Sequence, residues 1–149
     1  MTHFIPPKFF RIEELVSQRL FDLFKHRVHI LWQQFDPRIL YSIYQLRLIF
    51  NESMTINNWL WNGNRQFSGI RLHGDNHFSP TSQHSHGRGI DIVFAKTHPE
   101  EVRQFIIRHP LDERLKYITC IEDDTPTWLH IDCRNHDKEK NGVLQVPWR

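Results

Sequence analysis

The sequence predicts an α+β domain: a small, mostly antiparallel sheet preceded by helices and interrupted by one inserted helix. Three observations predict it. Apolar residues recur at helical spacing within the first fifty positions. β-Branched and alternating runs follow only after Asn51. One further helical pattern, at 99–108, interrupts those runs, so helices and strands are largely segregated along the chain.

Taken in order, residues 11–25 are expected to form a helix, because Ile12, Leu15, Val16, Leu20, Leu23 and Phe24 fall at helical intervals. A second helix is expected over 37–50, with Pro37 in its first turn and Ile39, Leu40, Ile43, Tyr44, Leu46 and Leu48 as apolar positions. Both read as core scaffold. Residues 53–60 carry Met54, Ile56 and Trp59 in an extended pattern. Residues 62–88 are rich in Gly, Asn, Ser and His and read as long loops, of a kind that often carries function. A short strand is expected over 90–94. The helix over 99–108 has Thr97 or His98 near its cap and Val102, Phe105 and Ile106 facing inward. Residues 116–122 and 128–133 read as a hairpin around the turn-forming stretch from Asp123 to Thr127. Residues 143–146 add an edge strand.

The 149 residues fit one domain, with a helical lead-in (1–50) and a site-bearing core (51–149). A chain of this length buries roughly 68–70% of its unfolded surface, so it needs no metal merely to fold. A hydrophobic content of 39%, with five Trp and eleven Phe, excludes a disordered chain. No apolar run is long enough to span a bilayer. Residues 1–7 lack the charged and apolar regions of a secretory signal, so the product is expected in the cytoplasm of the producing cell until released. Cys120 and Cys133 make no disulfide framework and are expected to be buried thiols. The formal charge is only +2, and basic residues are scattered among acids, which argues against nucleic acid as a partner. A monomer is expected.

Two segments carry chemistry. In the first, from Ser82 to Asp91, His84 and Asp91 lie seven residues apart across Gly87 and Gly89, entering a strand. The glycines permit a sharp turn that folds the histidine back beside the aspartate. In the second, Trp128, His130 and Asp132 alternate with Leu129 and Ile131, so a strand there has one apolar face and one face bearing Trp, His and Asp. His84, Asp91 and His130 together supply two imidazoles and a carboxylate. That is the ligand count of a catalytic zinc site with its fourth position open. No Cys pair stands at the spacing of a closed structural site.

Ser82 to Asp91 resembles the S-x-H-x-x-G-x-A-x-D motif of the zinc D-alanyl-D-alanine carboxypeptidase and L-alanyl-D-glutamate endopeptidase family, whose zinc site hedgehog signalling domains share. Gly89 stands where the motif has Ala. Trp128-Leu129-His130 resembles the family's later W-x-H segment, and Ser68-Gly69-Ile70-Arg71 its S-G-[YL]-R segment. The resemblance covers roughly residues 53–134, and the leading helices look like those of phage-encoded members. It implies one Zn2+ held by His84, Asp91 and His130, and Arg71 holding a substrate carboxylate or a developing oxyanion. It further implies hydrolysis of a bond in a peptidoglycan stem peptide, for lysis through a holin pore or from a virion-associated position. The endopeptidase and carboxypeptidase activities are both open.

The family's general base, three residues before the last histidine, is here Thr127, which cannot serve. If residues 122 and 130 face each other across the hairpin, Glu122 shares the face of His130 and is the favoured base. A one-residue slip puts Asp123 there and sets Cys120 opposite Cys133, and Asp124 is the third candidate. Asp132 is read as orienting the neighbouring ligand or as binding substrate. Ser82 and Gln83 are candidate substrate contacts. His73, His77 and His86 read as solvated loop histidines, and Trp59, Trp61 and Trp128 as packing or groove walls. The competing class is a non-catalytic zinc-binding module that recognises a protein or wall peptide.

Overall fold

The computed structural model describes residues 8–148. Its helices are α1 (Gln18–Phe24), α2 (Val28–Gln33), α3 (Pro37–Phe50), α4 (Pro99–Arg108) and α5 (Lys138–Asn141). Its strands are β1 (Met54–Thr55), β2 (Gly89–Phe94), β3 (Cys120–Glu122), β4 (Leu129–Asp132) and β5 (Leu144–Val146), arranged β1-β2-β4-β3-β5. Three pairings are antiparallel, and β5 runs parallel to β3 at the sheet edge. The expected α+β class holds, with a five-stranded mixed sheet.

The α3 and α4 helices occupy the expected spans. Asp36 Oδ1 accepts the Arg38 amide at 2.9 Å ahead of Pro37, and Asn51 closes α3 in the left-handed region at φ 49°. In α4, His98 Nδ1 accepts the Glu100 amide at 3.2 Å, and Glu100 and Glu101 face the positive end of the helix.

The expected helix over 11–25 is a correction. A short 3-10 turn, Ile12–Glu14, precedes a separate α1, with Leu15, Val16 and Ser17 between them. Their carbonyls explain the break. The Leu15 carbonyl accepts the Ile70 amide at 3.3 Å, and the Val16 carbonyl accepts Asn57 Nδ2 at 3.1 Å and Trp59 Nε1 at 2.7 Å. Acceptors committed to distant partners cannot close helical turns. Ser17 Oγ then caps α1 through the Leu20 amide at 3.2 Å. The α2 and α5 helices were not foreseen, and with α5 between β4 and β5 two helices interrupt the strands where one was expected. The extended stretch over 53–60 shrinks to β1, and Trp59–Trp61 is a 3-10 turn. The expected strand over 116–122 shrinks to β3, because a 3-10 turn at Glu113–Leu115, capped by Asp112 Oδ1, leads into it.

Strand alternation divides the sheet's residues between two faces. Ile90 and Ile92 of β2, Leu129 and Ile131 of β4, and Ile121 of β3 join the core with Ile39, Ile43 and Leu46 of α3 and with Val102 and Ile106 of α4. Asp91, His130, Asp132 and Glu122 fall on the opposite parity. Among the described residues, no helix is long and apolar enough to cross a membrane.

Candidate metal centre

The β2–β4 register pairs Asp91 directly with His130. Direct antiparallel partners carry their side chains on one face with Cβ atoms roughly 4.5–5.5 Å apart. His84 arrives from the long loop. Ser82 Oγ accepts the His84 amide at 3.2 Å, and the 3-10 turn His84–His86 ends at Gly87. Gly87 lies at φ 65°, and a Cβ there would stand 2.0 Å from the Gln34 carbonyl oxygen. Its own carbonyl accepts the Asp36 amide at 2.9 Å, which pins the loop to the entrance of α3. Only glycine suits that position.

Asp91 Oδ1 then lies 2.8 Å from His130 Nδ1 and 3.3 Å from His84 Nε2. One ligand atom from each of the three residues lies within 4.8 Å of the other two, and all three residues are buried. This triad can hold a metal ion. Both imidazoles are oriented from behind. His84 Nδ1 donates to the Gly69 carbonyl at 2.8 Å, and His130 Nε2 donates to Asp132 Oδ2 at 3.0 Å. A carbonyl can only accept, so the His84 proton sits on Nδ1 and the Nε2 lone pair faces Asp91. A bare lone pair opposite a carboxylate oxygen sets two acceptors against each other. A cation between them satisfies both, so the donor set fits a metal.

The charges follow from the same geometry. Burial disfavours charge on His130, but Asp132 and Asp91 outweigh it and push the imidazole up to about 10. Burial holds His84 below the usual histidine range despite Asp91. Burial acts to raise the Asp91 carboxyl, yet His84 and His130 together hold it well below the usual carboxylate range.

The segment from Ser68 to Arg71 ties the triad together, a role not legible in its sequence. The Ser68 carbonyl accepts the Asp91 amide at 2.8 Å. The Gly69 carbonyl orients His84. Arg71 Nη2 donates to Asp91 Oδ2 at 3.1 Å and Nε to the Phe67 carbonyl at 2.7 Å, while Nη1 reaches the His77 carbonyl at 3.4 Å. These bonds engage three of the five guanidinium N–H groups. A Cβ on Gly69 would meet the Leu15 carbonyl oxygen at 1.9 Å, so this segment packs backbone to backbone against the stretch that breaks the first predicted helix.

The β3–β4 register settles which acid reaches the site. Cys120 pairs with Asp132 and Ile121 with Ile131, so the next position sets Glu122 beside His130. Glu122 lines a cleft of about 630 Å³ together with the three ligands and Arg71. Burial, helped by Asp91 and opposed by His130 and Arg71, pushes its carboxyl up to about 7. Asp123 and Asp124 are exposed outside the cleft wall. Asp124 Oδ1 accepts the Trp148 amide at 2.7 Å. Thr127 is exposed and also stands outside the cleft wall.

Ser82 and Gln83 line the cleft, and Gln83 Oε1 is buried with no hydrogen-bond partner among the described residues. Asp132 does not touch the cleft. It has no exposed surface, and Arg134 Nε grips its Oδ1 at 2.8 Å, so it orients His130 and the substrate-contact reading is corrected. His86 is exposed with its Nε2 on the Pro80 carbonyl at 2.9 Å, and His73 packs on Phe78. His77 lines the cleft, where its carbonyl receives Arg71. Trp59 is a packing residue against Phe21, Trp61 is exposed, and Trp128 lines the cleft. Cys120 and Cys133 are free and buried, and burial pushes both thiols up to about 12. Arg134 and Trp148 are cleft residues that sequence reasoning missed. Neither lies in a motif, and only the pairing of β5 beside β3 brings Trp148 there.

Fold and site together define an α+β protein with a buried two-histidine, one-aspartate centre able to hold a metal ion. Comparison with protein-family models, with curated proteins and with solved structures finds no match for this chain.

Proposed function

We propose that this chain is a zinc peptidase of the D-Ala-D-Ala carboxypeptidase and L-Ala-D-Glu endopeptidase type, with a hedgehog-like zinc fold, that hydrolyses a bond in peptidoglycan stem peptides. The observation that carries the reading is the His84–Asp91–His130 triad with both imidazoles locked from behind, lining a cleft that Glu122 also lines. Nitrogen and oxygen donors with a buried carboxylate suit Zn2+. The motif order and the α+β fold fit a phage or prophage lysis enzyme, acting as a monomer after release from the producing cell.

Zinc in this triad supplies Lewis acidity toward the scissile carbonyl and acidifies adjacent water. Glu122 takes a proton from the attacking water as its oxygen bonds to the carbonyl carbon. The same carboxyl then delivers that proton to the leaving nitrogen as the C–N bond breaks. Arg71 turns its remaining N–H groups to the carbonyl oxygen or to a substrate carboxylate. Gly69 and Asp132 keep the two imidazoles from rotating.

The rival reading, a zinc-binding module without catalysis, rests on Thr127 standing where the family has its base. Glu122 in the cleft answers that objection from a neighbouring strand. The test is mass spectrometry of peptidoglycan fragments digested with zinc-loaded protein, with Glu122→Gln alongside. The proposal expects new stem-peptide termini, lost by roughly 10²–10⁴-fold in Glu122→Gln while its zinc content is unchanged. Intact fragments with the zinc-loaded parent protein would favour the binding module.

A further inference from the structure

The sheet arranges the cleft residues in rows. In the β3–β4 register His130 stands beside Glu122, and β5 sets Val146 next to Glu122. Two residues further along each strand direction lie Trp128, Asp124 and Trp148. Their contacts match that order: Asp124 Oδ1 accepts the Trp148 amide at 2.7 Å, and the two indoles meet edge to face at 5.0 Å and 86°. Both line the cleft, and Trp148 keeps 49% of its surface exposed. A half-exposed indole fixed by a backbone hydrogen bond and a perpendicular partner is a rigid apolar corner of the kind that contributes strongly to binding. Asn64, Gln66, Ser68, Ser79 and Thr81 give the same cleft a polar side.

On the peptidase reading, Glu122 hands its proton to the leaving amine, so the row beside Glu122 borders the leaving half of the substrate. We propose that Trp148 is a substrate-contact residue that, with Trp128, receives a small uncharged apolar side chain on the residue whose amine is released. The inference rests on that reading for the direction in which substrate lies, and on the indole corner for the chemistry of the subsite. An alanyl methyl group fits this description, whereas a carboxylate placed there meets no donor on either indole face.

Calorimetric binding of stem peptides carrying Ala, Glu or Lys at the released position to zinc-loaded Glu122→Gln protein tests it without turnover. Adding Trp148→Ala should weaken the alanyl peptide about tenfold, equivalent to about 1.4 kcal/mol, with zinc content unchanged. Trp148→Phe should restore most of that loss. Asp124→Ala, which frees the Trp148 backbone without removing the ring, should give a smaller loss in the same direction. Equal alanyl affinity with and without the indole overturns the proposal. A larger loss for the Lys peptide overturns its apolar chemistry in favour of a cation on the ring. Peptides that bind through Trp148 but are never cleaved by the parent protein would retain the contact while removing the peptidase reading. No binding of any peptide overturns both.

Discussion

Glu122 makes opposite demands on stability and on catalysis. Its carboxyl moves from the ordinary glutamate value of 4.5 to about 7, chiefly through burial. A displacement of that size opposes folding by about 3 kcal/mol once pH exceeds 7. Glu122 is only half-buried, so solvent screening reduces the figure to about 1–3 kcal/mol. The sign follows from proton binding. Between pH 4.5 and 7 the folded chain holds the proton that the unfolded chain has released, so this group lowers stability as pH rises through that window. Glu122→Gln removes the penalty and keeps the shape. In EDTA, melting curves of the two proteins should coincide near pH 4.5. They should separate by pH 8, with the Gln variant higher by roughly 3–10 °C, since about 1 kcal/mol shifts a domain of this size by a few degrees. A Gln variant that melts at or below the parent temperature at pH 8 would refute the placement of Glu122 in a desolvated site.

Gly69→Ala brings a Cβ against the Leu15 carbonyl and displaces the carbonyl that orients His84, so it should cost both stability and metal affinity. Denaturant titration should register a loss of about 2 kcal/mol or more, and metal competition a loss of roughly 10–100-fold; a change in stability alone would detach Gly69 from the centre. Metal uptake at pH 7 should release at least one proton per ion, because His130 carries charge between Asp132 and Asp91 until Nδ1 is needed as a ligand, and Glu122, held near 7, gives up part of its proton to the same cation. Calorimetry in buffers of different ionisation enthalpy reads that number, and a value of zero would contradict it.

The parts of the fold that were legible are those fixed by local chemistry. The α3 and α4 helices could be read because each opens on Pro at its first position, with a side-chain cap before it, and continues in a periodic apolar stripe. The stretch after Ile12 has the same apolar spacing, yet its carbonyls serve Ile70, Asn57 and Trp59, partners more than forty residues away that no local pattern reveals. Six-residue α2 is too short for periodicity to register. The site divides in the same way. The His84, Asp91 and His130 candidates rested on spacing, and the β2–β4 register brings them together. The choice between Glu122 and Asp123 depended on a hairpin register that the sequence left at two values, and burial of Ile121 opposite Ile131 selects the first. The Ser68–Arg71 pattern points to a substrate role for Arg71 but is silent on the three donors that tie Phe67, His77 and Asp91 together, because those partners depend on the tertiary fold.

Metal analysis of the purified protein, by mass spectrometry of the intact holo form and elemental quantification, tests the centre most directly. One zinc ion per chain is predicted for the parent protein, with stoichiometric binding lost in His84→Ala, Asp91→Ala and His130→Ala, and kept in His86→Ala, whose ring lies outside the triad. A parent protein that takes up no divalent metal, or one whose zinc survives loss of any of the three, would contradict the account.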